Sequence, residues 1–322
     1  MTLEEIVKKL SAPGARIPWL WEWLITDIWS IERYGKLTAI DYLREGEKLI
    51  CSIEEILSAA ADRTYTELIR RIQPDRAILN CLSDKNTAVI IFDGLSLREL
   101  PLIHSLATKS GYTIKVTGYS LASLPSETNE FINDNLGVGR IGPSQLHSRK
   151  ELKEKGIKVV YAESSTAAPQ LDYNAPLLVW SAFPDNTYFD SDARFAEHFE
   201  NMHALFETAW INLVQAVRNK KRLIITSDHG YVFFGTGLDT QRSNREQKIL
   251  NDFFGNDRNK DITGVTVPDH TDIFVDSSKN VAVLKGRVKT HSSGTAGQKL
   301  YKHGGLSLME MLTPWVEMEV SQ

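Results

Sequence analysis

The pattern most indicative of chemistry is an aspartate followed directly by a histidine, just beyond an apolar segment. Arg222–Thr226 is a short, β-branched run, and Asp228, His229 and Gly230 come one serine later. Successive side chains on a strand point to opposite faces, but at a turn both can bind the same ion. In a site without cysteine, carboxylate oxygen and imidazole nitrogen are typical ligands of zinc or manganese. This segment therefore predicts a metal site.

Two further segments carry ligand-type residues beside glycine. Asp93 follows the apolar run that begins at Thr87, and His303 stands before two glycines. A carboxylate at the end of a buried strand lies where an α/β sheet places its active site. Each segment also has a plain alternative, because Asp-Gly is a common turn and a histidine before two glycines is typical of a surface loop.

A pair of hydroxyl residues lies between these segments. Pro125 ends the preceding element, and Ser126 and Thr128 stand near the predicted start of a helix. A helix N-terminus offers unpaired amides to a bound phosphate, and a hydroxyl there can serve as a nucleophile that a metal helps to ionise. The alternative is a plain N-cap by Ser126.

Length and composition limit the class of protein. The 322 residues suffice for one large or two smaller domains, and the net charge of -4 argues against a protein that coats nucleic acid. The N-terminus lacks the pattern of a signal peptide, and no apolar stretch approaches the ~20 residues of a membrane span. Cys51 and Cys81 form neither a disulfide framework nor a thiolate metal site. We therefore expect a reduced, cytoplasmic protein whose metals are bound by carboxylate, imidazole and hydroxyl groups.

Residues 1–80 are predicted to be a helical region, and residues 81–322 the domain that carries the site. Leu3–Leu10 and Ile53–Ile72 have apolar residues at three- and four-residue spacing. The segment Ile17–Ile25 is rich in tryptophan. Its tryptophans either pack on their own domain or form an exposed docking helix for a partner protein.

Short apolar strands alternate with helices from Thr87 onwards. The predicted strands are Thr87–Phe92, Thr113–Val116, Val159–Tyr161, Leu177–Trp180 and Leu223–Thr226, and the predicted helices are Ser96–Lys109 and about Asp192–Val217. This alternation predicts an α/β fold with a mostly parallel sheet between helices, in which ligands bind beyond the C-terminal strand ends. Residues 235–264 are polar, without clear periodicity, and are predicted to be a surface insertion. Gly304–Val320 is predicted to be a turn, a short helix and a final strand.

In order and context, these segments resemble the alkaline phosphatase superfamily. They place Asp-Gly after the first strand, Pro-x-x-Thr downstream, Asp-His-Gly after a late strand and His-Gly-Gly near the end. The versions at Phe92–Leu95, Thr226–Gly230 and His303–Pro314 look like the PglZ family within it. The resemblance covers roughly Thr87–Val320 and implies an alkaline-phosphatase-like sheet. The resemblance does not extend to the helical N-terminal region.

The resemblance implies a two-metal site and a covalent phospho-enzyme. Asp93, Asp228, His229 and the nucleophile would bind one metal. Thr128 is the candidate nucleophile, because the segment resembles the proline-to-threonine spacing of the superfamily's phosphodiesterases. Ser126 is the reserve candidate.

The second metal would be bound by His303 and by carboxylates that follow Leu177–Trp180. Asp185 fits the carboxylate that the superfamily places there. Many members have a histidine four residues later, which this chain lacks. Asp190 or Asp192 substitutes for it, or the second metal is weak or absent.

Other chemistry-bearing residues have competing interpretations. Pro268–Asp272 repeats the Asp-His pair, but no buried strand precedes it and no glycine follows, so we predict a loop. His291 is a fallback for His303. Arg242 and Arg245 lie in the predicted insertion, and they either clamp a phosphate or are solvated charges.

These residues and the resemblance predict a metal-dependent phosphoester hydrolase with two divalent ions, zinc or manganese. The threonine nucleophile and the PglZ resemblance favour phosphodiesters, such as nucleotides or nucleic-acid ends, over monoesters. PglZ proteins are associated with anti-phage defence, which implies nucleic acid or a defence protein as a partner. The competing class is a catalytically weak or inactive scaffold that binds such a partner through the tryptophan-rich region. A phosphomutase is a third option, for which the chain is short.

Overall fold

The structure, a computed structural model, describes residues 3–12, 14–60, 62–72, 76–170, 174–187, 195–235, 237–290 and 300–321. Its strands are β1 (Thr87–Asp93), β2 (Tyr112–Leu121), β3 (Lys158–Ala162), β4 (Leu177–Pro184), β5 (Arg222–Thr226), β6 (Val232–Phe233), β7 (Asn259–Asp261), β8 (Ile273–Asp276), β9 (Val281–Leu284), β10 (Tyr301–Lys302) and β11 (Leu312–Val320). Its α-helices are α1 (Leu3–Ser11), α2 (Arg16–Trp23), α3 (Ile31–Lys36), α4 (Ala39–Ala60), α5 (Asp62–Arg71), α6 (Ala77–Cys81), α7 (Leu100–Lys109), α8 (Thr128–Phe131), α9 (Lys150–Glu154), α10 (Phe195–Ala209), α11 (Asn244–Phe254) and α12 (Leu308–Met311).

The main sheet has the strand order β2-β11-β5-β1-β4-β3. Strand β1 pairs in parallel with both β5 and β4, and β3 pairs in parallel with β4. Strand β11 is antiparallel to β2 and β5. The predicted α/β fold with a mostly parallel sheet is therefore confirmed.

Alternate residues of β1 enter two different hydrophobic clusters. Ala88, Ile90 and Phe92 belong to a large cluster that also contains the N-terminal helices, α7 and α10. Val89 and Ile91 belong to a second cluster that contains residues of α6 and the end of α8. Because strand side chains alternate between faces, the sheet lies between two helical layers. The C-terminal ends of β1, β4 and β5 meet at one edge of the sheet.

Several predicted elements differ from the observed ones at their ends. Strand β2 is longer than the predicted Thr113–Val116, because it pairs with β11 over its whole length. The predicted helix at Ser96 begins as a 3₁₀ turn at residues 97–99 before α7, with the Ser96–Glu99 capping box in place. Helix α12 and strand β11 confirm the short helix and final strand predicted near the C-terminus.

The tryptophan-rich segment lies inside the structure. Trp21 is 8% exposed, Trp23 is 3% exposed and Trp29 is 1% exposed, and all three belong to the large cluster. Trp29 also packs edge-on against Tyr42 of α4. These rings face the chain's own core, so the segment does not form the exposed docking surface that was the alternative prediction.

Helix α4 is joined to the rest of the chain by two buried carboxylates. Glu47 lies 2.5 Å from Arg98 and 2.8 Å from Arg287. Glu54 accepts hydrogen bonds from the backbone nitrogen of Leu308 and from the Tyr65 hydroxyl. The N-terminal helices and the sheet share one core, and the predicted boundary at residue 80 stays a prediction.

Part of the predicted insertion has regular structure. Helix α11 buries Leu250, Phe253 and Phe254 in a third cluster with residues of β9. Strand β7 joins β9 and β8 in a three-stranded antiparallel sheet, which we call the small sheet. Within the described ranges, no helix combines the length and apolar character that crossing a bilayer takes.

The buried carboxyl of Glu54 predicts a pH-dependent stability. Burial is the largest influence and raises the pKa of Glu54 to about 7, although the hydrogen bonds from Tyr65 and Leu308 oppose it. The folded chain therefore binds this proton more tightly than the unfolded chain, whose glutamate pKa is about 4.3. The bound proton stabilises the folded chain below the glutamate pKa of the unfolded chain. This stabilisation is lost as the pH rises through the pKa of Glu54 in the folded chain.

We expect this group to lower the free energy of unfolding by up to ~3 kcal/mol between about pH 4 and about pH 8. Glu54→Gln should have a flatter profile over the same range, because its side chain does not titrate. Chemical denaturation of both proteins across the range measures the difference. Parallel profiles would show that Glu54 does not titrate in this window.

Candidate active site

The candidate site forms where three parallel strands end. Asp93 is the last residue of β1, Asp185 directly follows β4, and Asp228 lies two residues beyond β5. Because β1 pairs with both of the other strands, the three carboxylates meet at the same edge. All three carboxylates thus lie at the C-terminal strand ends, where the sequence places them, and their role as ligands stays a prediction.

The turns after β1 and β5 are connected by short hydrogen bonds. The Ser227 hydroxyl lies 2.7 Å from the carbonyl oxygen of Phe92 and accepts from the backbone nitrogen of Leu95 at 2.9 Å. The backbone nitrogen of Gly94 donates to Asp228 Oδ1 at 3.1 Å. Gly94 has a φ of 72°, a conformation in which glycine carries no steric penalty. These contacts fix Asp228 beside the end of β1.

Thr128 stands at the centre of the first group of ligand-type side chains. Its Oγ1 donates to Asp228 Oδ2 at 2.7 Å and lies 3.4 Å from Asp93 Oδ1 and 3.3 Å from His229 Nε2. His229 Nε2 is 3.5 Å from both carboxylates, while its Nδ1 faces the carbonyl oxygen of Gly230 at 3.0 Å. The ligand atoms of Asp93, Asp228 and His229 lie within 4.8 Å of one another.

The two carboxylates of this group have no lysine or arginine partner within the described residues. Neither Asp93 nor Asp228 forms an ion pair with a lysine or arginine there, and Asp93 instead accepts from Trp180 Nε1 at 3.1 Å. Burial and the charges of Asp228 and Asp185 raise the pKa of Asp93 well above its usual range. Two adjacent buried carboxylates without a counter-charge fit a bound cation.

A second group adjoins the first through His229. The ligand atoms of Asp185, His229 and His303 also lie within 4.8 Å of one another. His303 Nε2 is 3.8 Å from Asp185 Oδ1, and its ring stacks on that of His229 with 4.0 Å between the centroids. Partial burial lowers the pKa of His303, but Glu127 and Asp185 more than offset this effect and leave it above its usual range. The donor set of this group also fits a divalent metal.

The turn after His303 is held by the hydroxyl of Ser126. The backbone nitrogen of Gly304 donates to Ser126 Oγ at 2.9 Å, and this hydroxyl donates to the carbonyl oxygen of Gly305 at 3.0 Å. Ser126 is fully buried, and its carbonyl oxygen faces His303 Nδ1 at 3.1 Å. Its hydroxyl therefore serves the histidine turn, whereas the hydroxyl of Thr128 faces the ligand groups.

Glu310 connects both histidine turns. Its Oε1 accepts from the backbone nitrogen of Gly305 at 2.8 Å, and its carbonyl oxygen accepts from the backbone nitrogen of Gly230 at 2.9 Å. A Cβ on Gly230 would lie 2.1 Å from the carbonyl oxygen of Met309, so only glycine fits there. The carboxylate of Glu310 also binds Arg258 through two bonds of 2.8 and 2.9 Å. Met309 and Glu310 thus set the positions of the turns that carry His229 and His303.

The other residues that the sequence suggested for the site lie away from it or outside the described ranges. Asp190, Asp192 and His291 lie outside the described residues. The guanidinium of Arg242 pairs with Asp272 through bonds of 2.6 and 2.8 Å. The Arg242 side chain is therefore held by Asp272 and not by the candidate site. Arg245 is exposed on α11, and His270 lies in the loop before β8, as predicted for that segment.

Three residues near the site were not predicted from the sequence. Trp180 was assigned only to a strand, although its indole reaches Asp93. Glu127 lies 3.7 Å from His303 Nδ1 and accepts from Asn259 at 2.8 Å. Glu310 was part of the segment that carried the resemblance, but its role depends on contacts with Gly305 and with Arg258, the residue before β7. The sequence alone showed Glu310 only as an acidic residue in an otherwise apolar segment.

No protein-family profile and no curated protein matches the chain. Solved structures that match include phosphonoacetate hydrolase from Sinorhizobium meliloti 1021, at 12% identity with a TM-score of 0.41, covering 71% of this chain and 89% of that one. Murine ectonucleotide pyrophosphatase/phosphodiesterase 5 matches at 13% identity with a TM-score of 0.46, covering 72% and 87%. The human protein of that name matches at 14% identity with a TM-score of 0.42, covering 72% and 87%.

Proposed function

We propose that the chain is a metal-dependent phosphoester hydrolase of the alkaline phosphatase superfamily, with a PglZ-type domain, and that its substrates are phosphodiesters. The observation that carries this proposal is the position of Thr128 Oγ1, within 3.4 Å of Asp93, Asp228 and His229. A lone threonine hydroxyl in contact with two buried carboxylates and an imidazole is the arrangement of an activated nucleophile.

The proposed metal ligands fall into the two groups. Asp93, Asp228 and Thr128 would hold one divalent ion, and Asp185 and His303 the other, with His229 between them. Oxygen and nitrogen donors without thiolate suit zinc, and manganese is the alternative. When bound, two such ions supply positive charge to the attacking and leaving oxygens of a phosphoryl transfer.

Thr128 is the proposed catalytic nucleophile. The 2.7 Å hydrogen bond to Asp228 fixes its rotamer and gives the hydroxyl proton an acceptor. Attack by Oγ1 on phosphorus forms a Thr128–phosphate ester and breaks the bond to the leaving alcohol. Water then attacks the same phosphorus, which releases the remaining phosphate ester and restores the hydroxyl. The chain's contribution is chiefly the positioning of Oγ1 and of the charges around it.

The charges near the site favour diesters over monoesters. A monoester carries two negative charges at phosphorus, and enzymes that bind it use additional positive groups. Within the described residues, Asp93, Asp185 and Asp228 form no ion pair with lysine or arginine, and Arg242 is committed to Asp272. A diester carries one negative charge at phosphorus and therefore needs fewer positive groups in the site.

The finer substrate class and the setting rest on the resemblance alone. We propose nucleotides or nucleic-acid ends as the diester class, a cytoplasmic location and a role in anti-phage defence. A scaffold function is less well supported, because Trp21, Trp23 and Trp29 are buried and Trp19 is partly buried against the same core.

Hydrolysis of a chromogenic phosphodiester beside the matching monoester tests this proposal. We expect the metal-depleted chain to be inactive, and added zinc or manganese to restore turnover with a preference for the diester. Asp228→Asn should fail to respond, because it removes one carboxylate from the first group and weakens the hold on Thr128. Equal turnover with and without a chelator would exclude the metal-dependent mechanism.

A further inference from the structure

A cavity of about 320 Å³ lies beside the proposed nucleophile. Its lining includes both sequence neighbours of Thr128, Glu127 and Asn129. The lining also includes Asn259 of the small sheet and Asn280, just before β9. We call this cavity the side pocket. Because Glu127 also lies 3.7 Å from His303, the pocket adjoins the second ligand group as well.

The cations that line the side pocket are already neutralised. Lys279 lies 2.7 Å from Glu130 and 2.8 Å from Asp134. Arg140 lies 2.6 Å from Glu130. The lining contains three carboxylates and two cations, so its net charge is negative. A second phosphate group would therefore meet repulsion in this pocket.

Two of the three side-chain amides in the side pocket are available to a ligand, and the third, Asn259, donates to Glu127. The side chains of Asn129 and Asn280 make no hydrogen bond to another described residue. An amide both donates and accepts, which suits hydroxyl groups. The described lining residues include no aromatic side chain, so a nucleobase would find no ring on which to stack there.

We propose that the side pocket binds the second substituent of the phosphodiester, and that this substituent is an uncharged, hydroxyl-bearing group such as a sugar or polyol. This proposal rests on the proposed function, because it places the phosphate at Thr128. It narrows the substrate class to diesters that present a sugar beside the phosphate, without a further phosphate at that position.

Binding to the zinc-loaded Thr128→Ala chain tests the proposal without turnover. The probes are methyl, 2,3-dihydroxypropyl and phosphorylated 2,3-dihydroxypropyl esters of p-nitrophenyl phosphate, measured by calorimetry. We expect the dihydroxypropyl ester to bind about fivefold more tightly than the methyl ester, as one net hydrogen bond allows. The additional phosphate should abolish that gain.

A second substitution, Asn280→Gly, tests whether the tighter binding of the dihydroxypropyl ester arises in the side pocket. Asn280 has a φ of 52°, so glycine fits its backbone without strain. In this background the dihydroxypropyl ester should no longer bind more tightly than the methyl ester. Asn201→Ala, which removes an exposed amide on α10, is the control and should leave the gain intact.

The outcomes separate the two proposals. Equal binding of the methyl and dihydroxypropyl esters would overturn the pocket assignment but leave the phosphoesterase proposal standing. Tighter binding of the phosphorylated ester would also overturn it. Absence of binding by every ester, together with absence of turnover by the wild-type chain, would reject both.

Discussion

Thr128→Ala is expected to lower the turnover of a phosphodiester by at least ~10³-fold, because it removes the only hydroxyl that faces both carboxylates among the described residues. The loss should fall on kcat, since the ligands of the first group other than Thr128 remain. Thr128→Ser keeps the hydroxyl and should retain most of the activity. Steady-state kinetics of the three proteins at saturating metal measure the effect.

Ser126→Ala is the matched control for this prediction. The Ser126 hydroxyl binds the backbone at Gly304 and Gly305, so its loss should disturb His303 and weaken metal binding before it affects the chemical step. Excess metal should then recover the turnover of Ser126→Ala but not that of Thr128→Ala. Recovery in the opposite order would make Ser126 the nucleophile and contradict the geometry.

Glu310→Gln is expected to lower the free energy of unfolding by ~3–5 kcal/mol, because it leaves the charge of Arg258 buried without its partner. Glu310 is fully buried and Arg258 is 2% exposed, so water cannot replace the lost interaction. The substitution should also weaken metal binding, since Glu310 connects the turns that carry His229 and His303. Denaturant unfolding and metal titration of the same protein measure the two effects.

Glu317→Gln is the control for an ion pair near the surface. It breaks the 2.6 Å pair with Arg222, whose side chain is 39% exposed, and should cost less than ~1 kcal/mol. A double variant that replaces Arg258 and Glu310 by apolar residues should recover part of the stability lost by Glu310→Gln, because no unpaired charge remains. Equal losses for Glu310→Gln and Glu317→Gln would contradict the positioning role of Glu310.

The sequence predicted the parts of the site that depend on strand ends. Asp93 and Asp228 each follow a buried β-branched run, and parallel strands bring such ends together. The adjacent Asp228 and His229 converge because the turn after β5 breaks the strand alternation. Asp185 was predicted only with the help of the resemblance, and its 3.8 Å approach to His303 depends on residues far apart in sequence.

The choice between Ser126 and Thr128 could not be made from the sequence alone. Both hydroxyls lie at the start of the same helix, and what distinguishes them is the contact of Ser126 with Gly304 and Gly305, almost 180 positions later. The docking interpretation of the tryptophan-rich segment was wrong for a related reason. An aromatic run has the same composition whether it faces solvent or a core, and only the packing of α2 against the chain decides.

The sequence of helix α11 contains a helix pattern that the prediction of an irregular insertion overlooked. Leu250, Phe253 and Phe254 have the three- and four-residue spacing of one helical face, and Ser243 and Glu246 form a capping box ahead of them. The charged residues between them made the segment resemble an irregular insertion. A capping pair followed by a short apolar face was sufficient to predict this helix.

The most direct test of the account is the metal content of the purified chain after equilibrium dialysis against zinc, measured by mass spectrometry. The two ligand groups predict two ions for the wild type and one each for Asp228→Asn and His303→Ala, since these variants alter different groups. A wild type that binds one ion or none, or a His303→Ala variant that still binds two, would contradict the two-metal site.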